Sequence, residues 1–293
     1  MTKSILSLLF SLPSFFLSLF APLQAQKELP HTGVRVQYGE SPKQAFDMYL
    51  PDDVEDGVNV VLVLHGGSWL TGSQTKFARY AKQAAQYGYV GVTADYRSLY
   101  YNVTAADMVD DIANACERVK TELEGRGVTP GKLIVAGHSA GAHLGLIYAY
   151  THYADAPIPI AFVTVVAAPA DPLLHDKGTT ALEALRFIAA TGLSGENITA
   201  GNVDDPDLQA AIDAITPLSM VTPDVPPTIV CQGDADMVVP CKNAELLYEK
   251  LQANGVDSLF VTYENTNHFT ASVSEEMQQK RLDAMFVFAE RYL

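Results

Sequence analysis

The feature that most constrains the fold of this chain is a series of short, unbroken apolar runs rich in Val, Ile and Leu. They recur at residues 58–64, 89–94, 133–136, 161–167, 228–231 and 259–263. Strands buried on both faces of a parallel sheet need continuous apolar character, whereas half-exposed strands alternate. The runs therefore predict the strands of a mostly parallel sheet, and residues 34–37 and 46–50 add an opening pair.

Stretches with the period of an amphipathic helix separate these runs. Apolar residues at i, i+3, i+4 and i+7 line one face within residues 109–116, 244–251 and 282–289. Ser272 and Glu275 form a capping-box pattern that predicts the start of the last helix. Alternating strands and helices indicate an α/β protein with an open, mostly parallel, twisted sheet flanked by helices.

Residues 168–227 break this rhythm, because they contain helical stretches but no strand pattern. The helical stretches lie near residues 180–190 and 207–215. We expect these residues to form a small helical insertion over the sheet. The chain from residue 26 to residue 293 is then one domain.

The amino terminus carries a targeting pattern. Lys3 is the only charged residue among the first 26, and the stretch after it is almost wholly apolar. A basic start, an apolar stretch and a small residue at Ala25 are typical of a secretory signal peptide, here residues 1–25. An uncleaved membrane anchor is the alternative, which Pro13 and Pro22 weaken. We therefore expect a secreted or periplasmic protein that has no membrane attachment after cleavage.

The chain is strongly acidic, with 34 Asp and Glu, 19 Lys and Arg, and a net charge of −15. Such a surface does not attract nucleic acid or acidic lipid, so neither is an expected partner. Three cysteines, Cys116, Cys231 and Cys241, are too few and too scattered for a disulfide scaffold or a structural zinc site. Whether Cys231 and Cys241 are bridged stays open, and no metal is expected.

The candidate nucleophile lies in the motif Gly137-His138-Ser139-Ala140-Gly141, between a predicted strand and a predicted helix. The two glycines allow a serine to occupy a tight strand-to-helix turn, from which its hydroxyl projects over the carboxyl edge of the sheet. The pattern alone is weak, because Gly and Ser are common residues. Its position between a strand and a helix makes it informative.

A serine nucleophile needs a base, and the base needs an acid that orients it. His268 follows the last predicted strand, and Asp234 and Asp236 follow the strand before it. All three residues therefore fall on loops at the carboxyl edge, where α/β sheets place their sites. The order Ser, Asp, His fits the triad of this kind of turn, with either aspartate as the acid.

Backbone amides that could stabilise an oxyanion come from two places. His65-Gly66-Gly67-Ser68-Trp69 follows a predicted strand, and its two glycines leave backbone amides free to face a developing negative charge. The amide of Ala140, directly after Ser139, is the second source. Gly66, Gly67 and Ala140 are therefore the predicted oxyanion hole.

Three aromatic residues near these motifs have two open interpretations. Trp69, the only tryptophan, and Tyr100 and Tyr101 either line the substrate pocket or have only a packing role.

Other polar residues near the motifs are expected to be structural. His65, His138 and His143 come too early in the chain to be the base. Asp95 and Arg97 are expected to form a structural ion pair or hydrogen bonds.

The motifs together resemble the α/β-hydrolase superfamily, in particular the esterase branch related to hormone-sensitive lipase and to bacterial acetyl and feruloyl esterases. The matching residues are His65-Gly66-Gly67-Ser68-Trp69, Asp95-Tyr96-Arg97, Gly137-His138-Ser139-Ala140-Gly141-Ala142-His143-Leu144, Asp236-Met237-Val238-Val239-Pro240 and His268. Many relatives have glycine where Ser68 and Ala142 stand here. The resemblance implies the α/β-hydrolase fold, ester hydrolysis without a metal or organic cofactor, and Asp236 rather than Asp234 as the acid.

The expected function is that of a secreted serine carboxylesterase. Residues 168–227 are rich in Asp and Gly and lack the large apolar face of a lipase lid, so we expect short-chain or aromatic acyl esters, such as those on plant polysaccharides. The expected partner is a small ester or an acylated carbohydrate. An amidase, formamidase or peptidase with the same triad is the nearest alternative, and a non-catalytic binding protein of this fold is a more distant one.

Overall fold

The structure, a computed structural model, describes residues 33–174, 180–268 and 273–293, and only the backbone of residues 180–185. The predicted signal peptide, residues 1–25, lies outside the described residues. The fold class predicted from the sequence is confirmed in this part of the chain.

Eight strands form one sheet in the order β1-β2-β4-β3-β5-β6-β7-β8. Strand β2 pairs antiparallel with β1 and with β4, and all other neighbours are parallel. The predicted apolar runs form the parallel strands, because those strands are covered on both faces. The strands are β1 (Val34–Gln37), β2 (Ala45–Tyr49), β3 (Val60–Leu64), β4 (Val90–Ala94), β5 (Leu133–His138), β6 (Ile160–Val166), β7 (Thr228–Gly233) and β8 (Ser258–Tyr263).

Seven α-helices lie in the described part of the chain. Their apolar faces pack on the sheet, and most connections between parallel strands pass through one of them. The helices are α1 (Ala78–Gln86), α2 (Ala105–Glu124), α3 (Ala140–His152), α4 (Thr180–Ser194), α5 (Gln209–Asp213), α6 (Cys241–Ala253) and α7 (Glu275–Tyr292).

The sheet separates two hydrophobic clusters. Alternate side chains of β3 point to opposite faces, so Leu62 belongs to one cluster and Val63 to the other. Helices α2, α3 and α6 cover the first face, and α1 and α7 cover the second. Both faces of the inner parallel strands are therefore sealed from water, whereas the edge strand β8 is partly exposed. The polar side chains that follow the strands are left at the carboxyl edge.

Residues 168–227 contain α4, α5 and a short 3-10 helix, Pro217–Met220. The described part of this segment contains no strand, as the sequence indicates. Helix α4 rests on α2, and the 3-10 helix rests on α3. Gly192 of α4 lies against Leu99, where an added Cβ would be 3.0 Å from the leucine side chain. The segment therefore packs beside the carboxyl edge on the α2/α3 face.

The last helix begins two residues later than the predicted capping box places it, so the predicted cap is wrong. Ser272 lies outside the described residues, and the N-cap of α7 is Ser274, whose hydroxyl accepts a hydrogen bond from the amide of Met277. Glu275 is therefore the first helical residue rather than the third. Ser274 offers the same kind of capping hydroxyl two residues further on, so spacing alone did not distinguish the two. Within the described ranges, no helix has the length and apolar character to cross a membrane.

Candidate active site

Ser139 occupies a sharp turn between the end of β5 and the start of α3. Its backbone has φ 53° and ψ −121°, a conformation that few residues other than glycine adopt. Gly137 and Gly141 make the turn feasible: a Cβ on Gly141 would lie 2.4 Å from the carbonyl oxygens of Leu64 and His65, and one on Gly137 would lie 2.6 Å from the Gly141 carbonyl oxygen. The two glycines therefore have the role that the motif predicts.

The structure brings together the three side chains predicted to form the triad. Ser139 Oγ lies 2.9 Å from His268 Nε2, and His268 Nδ1 lies 2.8 Å from Asp236 Oδ2. The three side chains come from loops after β5, β8 and β7, and all three are buried. Because Nδ1 faces the carboxylate, Nδ1 carries the proton and Nε2 is left as an acceptor for the serine hydroxyl.

Asp236 is held by more than its histidine. Its Oδ1 accepts hydrogen bonds from the amides of Val238 (2.8 Å) and Val239 (2.9 Å), and Oδ2 accepts one from the Gln232 side chain (3.0 Å). Burial raises the pKa of this carboxyl, but the hydrogen bonds from His268, Val239 and Val238 outweigh burial and hold the pKa below its ordinary value. Asp236 is therefore an anion at neutral pH, with fixed geometry.

Asp234, the other candidate acid, is exposed. Its Oδ1 accepts a long hydrogen bond, 3.4 Å, from the amide of Thr266. This contact ties the β7 loop to the β8 loop. The geometry thus places at His268 the carboxylate that the family resemblance favours, Asp236, between two that spacing alone left as alternatives.

The loop after β3 runs alongside the serine turn. A Cβ on Gly66 would lie 3.1 Å from the Ser139 Cβ, and one on Gly67 would lie 2.0 Å from the Thr71 carbonyl oxygen. Gly67 has φ 141°, and the next two residues, Ser68 and Trp69, have φ 53° and 57°. Gly67 therefore has a backbone conformation that only glycine adopts without strain, and the loop continues through two residues with positive φ. Many relatives have glycine at the position of Ser68, and Ser68 itself has a positive φ here.

Ala140 is the first residue of α3, and its amide is one of those that have no partner within the helix. It directly follows Ser139, so it opens toward the same space as the β3 loop. The positive end of the helix dipole adds to the attraction for an anion at this position. Of the three predicted oxyanion residues, Gly66 and Ala140 thus lie directly at the serine turn, and Gly67 follows Gly66 in the neighbouring loop.

His65 and Asp95 form a second histidine–aspartate contact at this edge. His65 Nε2 lies 3.3 Å from Asp95 Oδ1, and the His65 ring stacks on Tyr96 with centroids 4.4 Å apart. Asp95 also accepts a hydrogen bond from the Gln74 amide (2.6 Å) and contacts the Lys43 ammonium (3.3 Å). These contacts brace the start of the oxyanion loop against β4.

Arg97 and Asp95 do not pair with each other. Arg97 instead binds the fully buried carboxylate of Asp111 on α2, with Arg97 Nη2 2.8 Å and Nε 2.9 Å from its two oxygens. The expected structural role is therefore correct for both residues, but an Asp95–Arg97 ion pair is wrong. The partner of Arg97 was not identified from the sequence, because Asp111 lies on the buried side of a helix whose register only packing fixes.

Trp69 and His143 contact each other beneath the loop. Trp69 Nε1 donates to His143 Nδ1 (3.1 Å), so His143 Nε2 carries the proton and donates to the Ile215 carbonyl (2.8 Å). Burial lowers the pKa of His143 to about 4, which keeps it neutral. Trp69 is 9% exposed, and it therefore links the loop to α3 and to residues 168–227.

Tyr100 and Tyr101 have a different environment. They belong to a 3-10 helix, Leu99–Tyr101, and their side chains are 85% and 43% exposed. Their rings contact each other edge to face at 6.0 Å. They form part of an open surface rather than a closed pocket wall.

The structure also shows the roles of His138 and the state of the three cysteines. His138 Nε2 lies 2.9 Å from the His268 carbonyl oxygen, so it holds the loop that carries the candidate base. Cys116, Cys231 and Cys241 are all free, which answers the open question about a bridge. Among the described residues, no cluster of three or more His, Cys, Asp or Glu side chains is arranged to hold a metal ion.

Sequence reasoning missed Gln232, which supports Asp236 from the end of β7. Its side chain amide reaches Oδ2 from four residues upstream. A polar residue that ends an otherwise apolar strand, just before the predicted acid, was the available signal. Met237 and Val238 were also missed as surface residues: they are 84% and 49% exposed beside the acid.

Comparison with known proteins identifies the family. A family model described as BD-FAE matches residues 46–251, well over half of the chain. The chain belongs to the BD-FAE family. This is an esterase family of the α/β-hydrolases. The BD-FAE match begins within β2 and ends within α6, so it includes Ser139 and Asp236 and stops before His268.

Individual proteins resemble the chain at low sequence identity. The chain is 23% identical to the isoprenylcysteine alpha-carbonyl methylesterase of Arabidopsis thaliana over 80% of its length and 55% of that protein. The chain thus spans about half the length of the curated relatives that head this comparison. A truncated carbohydrate esterase from gut microbiota shares the fold with a TM-score of 0.72 and 17% identity, covering 91% of this chain and 98% of that one. A propionate-bound esterase of Thermogutta terrifontis has a TM-score of 0.68 and 23% identity, covering 91% and 97%.

Proposed function

We propose that this protein hydrolyses carboxylic esters, with Ser139 as nucleophile, His268 as general base and acid, and Asp236 as the residue that orients the imidazole. The observation that carries the proposal is the continuous hydrogen-bonded chain from Ser139 Oγ through His268 to Asp236. Membership of an esterase family supports the ester bond as the target.

The geometry accounts for each step of an acyl transfer. Ser139 Oγ attacks the ester carbonyl carbon while its proton passes to His268 Nε2. The amides of Gly66, Gly67 and Ala140 stabilise the negative charge that develops on the carbonyl oxygen. When the C–O bond breaks, His268 returns the proton to the leaving alcohol and an acyl-enzyme remains. A water molecule then attacks in the same way, releasing the acid and restoring Ser139.

Asp236 contributes by staying charged and fixed. Its three hydrogen-bond donors other than the histidine prevent the carboxylate from rotating away from His268. The anion stabilises the imidazolium that forms when His268 takes the serine proton.

The proposed substrates are esters of short or aromatic acyl groups, such as those on plant polysaccharides. Exposed apolar side chains on loops at the carboxyl edge offer contacts to a small acyl or aromatic group; they include Leu70, Tyr100, Tyr101, Met237 and Val238. They are spread over separate loops, unlike the broad apolar face of a lipase lid. The propionate-bound esterase and the carbohydrate esterase, which share the fold, are consistent with this substrate class.

The decisive experiment is covalent labelling of the purified protein with a fluorophosphonate, followed by peptide mass spectrometry. We expect modification on Ser139, and loss of both labelling and esterase activity in Ser139→Ala. Ser219→Ala, a change of an exposed serine on the Pro217–Met220 turn, is the matched control and should retain both. Labelling of intact protein elsewhere, or full activity in Ser139→Ala, would refute the assignment.

Acyl preference is tested with a series of p-nitrophenyl esters. We expect kcat/KM for acetate and butyrate to exceed that for dodecanoate. A steady rise with chain length, or activation at an oil–water interface, would instead establish a lipase.

We also propose export, to the periplasm or the medium, on the basis of residues 1–25. Expression of the full chain with amino-terminal sequencing of the mature protein tests this. A mature terminus near residue 26 is expected, and retention of Met1 on a membrane-bound protein would contradict it.

A further inference from the structure

A cavity that opens to the surface lies between the sheet and helices α1 and α7. Its volume is about 240 Å³, close to the lower limit of small-molecule pockets, about 300 Å³. Side chains of β3, β5 and β6 form its floor. Ser139, Asp236 and His268 do not line it, although Gly137 and His138, which precede Ser139, do.

The cavity is apolar over most of its surface but carries a one-sided charge. Aromatic rings of Phe77, Tyr80, Phe162 and Phe286 contribute to its walls. The charged groups that line it are Lys76, Arg79 and Arg281, and no carboxylate is among its described lining residues. Three cations without an acidic group are unexpected in a chain with a net charge of −15.

Arg281 is the cation that extends into the cavity wall from α7. Its Nε is shielded from solvent and has no hydrogen-bond partner among the described residues. The guanidinium lies 5.6 Å from the centroid of the Tyr80 ring. The guanidinium is also hydrogen-bonded to the Tyr263 side chain and lies near Cys231, so only its Nε is left without a partner among the described residues. Burial raises the pKa of Cys231 to about 11 and that of Tyr263 above its ordinary range, so neither is an anion at pH 7.

A second polar atom on the cavity floor also lacks a partner. Thr164, in β6, is 4% exposed, and its hydroxyl has no hydrogen-bond partner among the described residues. Buried polar groups in proteins are almost always satisfied, so two such groups lining one cavity indicate an occupant with hydrogen-bonding atoms.

A guanidinium that is partly shielded from water is costly unless an anion neutralises it, because arginine does not lose its proton in proteins. A carboxylate matches the guanidinium and can also accept from a hydroxyl. The aromatic walls favour an apolar body on the same molecule. We propose that this cavity is a binding site for a small monocarboxylate with an aromatic or aliphatic body, held by Arg281 and Thr164. The site is separate from the esterase centre, and its occupation does not require Ser139.

Isothermal titration calorimetry at pH 7 with sodium benzoate, and with its neutral analogue benzamide, tests the proposal. We expect saturable binding of one benzoate per chain, with benzamide at least about ten-fold weaker. Arg281→Met should weaken benzoate binding at least about ten-fold. Thr164→Val, which removes only the hydroxyl, should weaken it by a smaller factor.

Two controls separate this site from other effects. Lys280→Met removes the same charge from the neighbouring, exposed position of α7 and should leave the affinity unchanged. Ser139→Ala should also bind benzoate normally, whatever the outcome of the esterase assays. The proposal is overturned if benzoate does not bind saturably, if benzamide binds equally well, or if folded Arg281→Met binds as tightly as the unchanged protein.

Discussion

Two buried histidine–aspartate pairs lie at the same edge of this sheet, and they are built alike. His268 and Asp236 follow the neighbouring strands β8 and β7, and His65 and Asp95 follow the neighbouring strands β3 and β4. In both pairs burial raises the aspartate pKa, and hydrogen bonds or positive neighbours lower it by more. The pairs differ in what the second nitrogen of the histidine ring faces.

In the first pair, the second nitrogen of His268 faces the hydroxyl of Ser139 at 2.9 Å. In the other pair, His65 Nδ1 faces the carbonyl oxygen of Gly66 at 2.9 Å, and the ring is covered by Tyr96. A histidine can serve as a base only if a free acceptor nitrogen meets the proton to be removed. The comparison therefore assigns proton transfer to one pair and bracing of the oxyanion loop to the other.

The largest expected effect is the loss of the proposed base. His268→Gln should lower kcat by about 10⁴-fold or more, as with other triad histidines. His65→Gln should lower kcat by about ten-fold or less, because a displaced loop loses only part of an oxyanion stabilisation worth about 10²-fold to 10³-fold. Steady-state kinetics on a p-nitrophenyl ester measure both, with circular dichroism to establish folding. Equal losses in two folded variants would break the comparison.

The aspartates should separate in the same way. Asp236→Asn should lower kcat by about 10³-fold to 10⁴-fold, because the histidine then loses its correct tautomer. Asp95→Asn should change kcat little and lower the free energy of unfolding by about 1–3 kcal/mol, since a buried amide replaces a carboxylate that accepts from Gln74 and Lys43.

Asp234→Asn is the matched control for the acid, because Asp234 lies two residues away and is exposed. Its kcat should stay close to that of the unchanged protein. If Asp234→Asn were the more damaging change, the acid would have been assigned to the wrong carboxylate.

The two aspartates should contribute in the same way to the pH dependence of the free energy of unfolding at acid pH. Both aspartates have a lowered pKa in the folded chain, so the unfolded chain takes up their protons at a higher pH, about 3.9. Their stabilisation is therefore complete above that pH and is lost as the pH falls through the folded value. Urea unfolding between pH 6 and pH 2 should give a shallower acid decline for Asp95→Asn and for Asp236→Asn than for the unchanged protein. A decline that neither variant alters would contradict the shared role.

The smallest expected effect concerns Lys43, which contacts Asp95 at 3.3 Å with about a third of its side chain exposed. Partly exposed ion pairs contribute about 0–1 kcal/mol. Lys43→Met should lower the free energy of unfolding by no more than that and leave kcat unchanged. Thermal unfolding and initial rates measure the two quantities. A large loss of kcat would show that the bracing pair influences catalysis more than its geometry suggests.

Much of this arrangement could be predicted from the sequence. Unbroken apolar runs located all six parallel strands, and the motifs after them located Ser139, His268 and the oxyanion loop. The predictions fail where spacing allows near-equivalent residues. Ser272 and Ser274 are both good caps, and Asp95 lies closer in sequence to Arg97 than does its actual partner, Asp111.

The sequence by itself determined which residues reach the carboxyl edge. Strands and helices alternate along the chain, so every loop that follows a parallel strand lies at the same end of the sheet. Only the tertiary structure decided which of them meet. Asp95 contacts His65 rather than Arg97, and Arg97 binds Asp111 on α2. These pairings depend on distances of about 3 Å between side chains that are far apart in the chain. The packing of the strands and helices sets those distances, and no local pattern of residues encodes that packing.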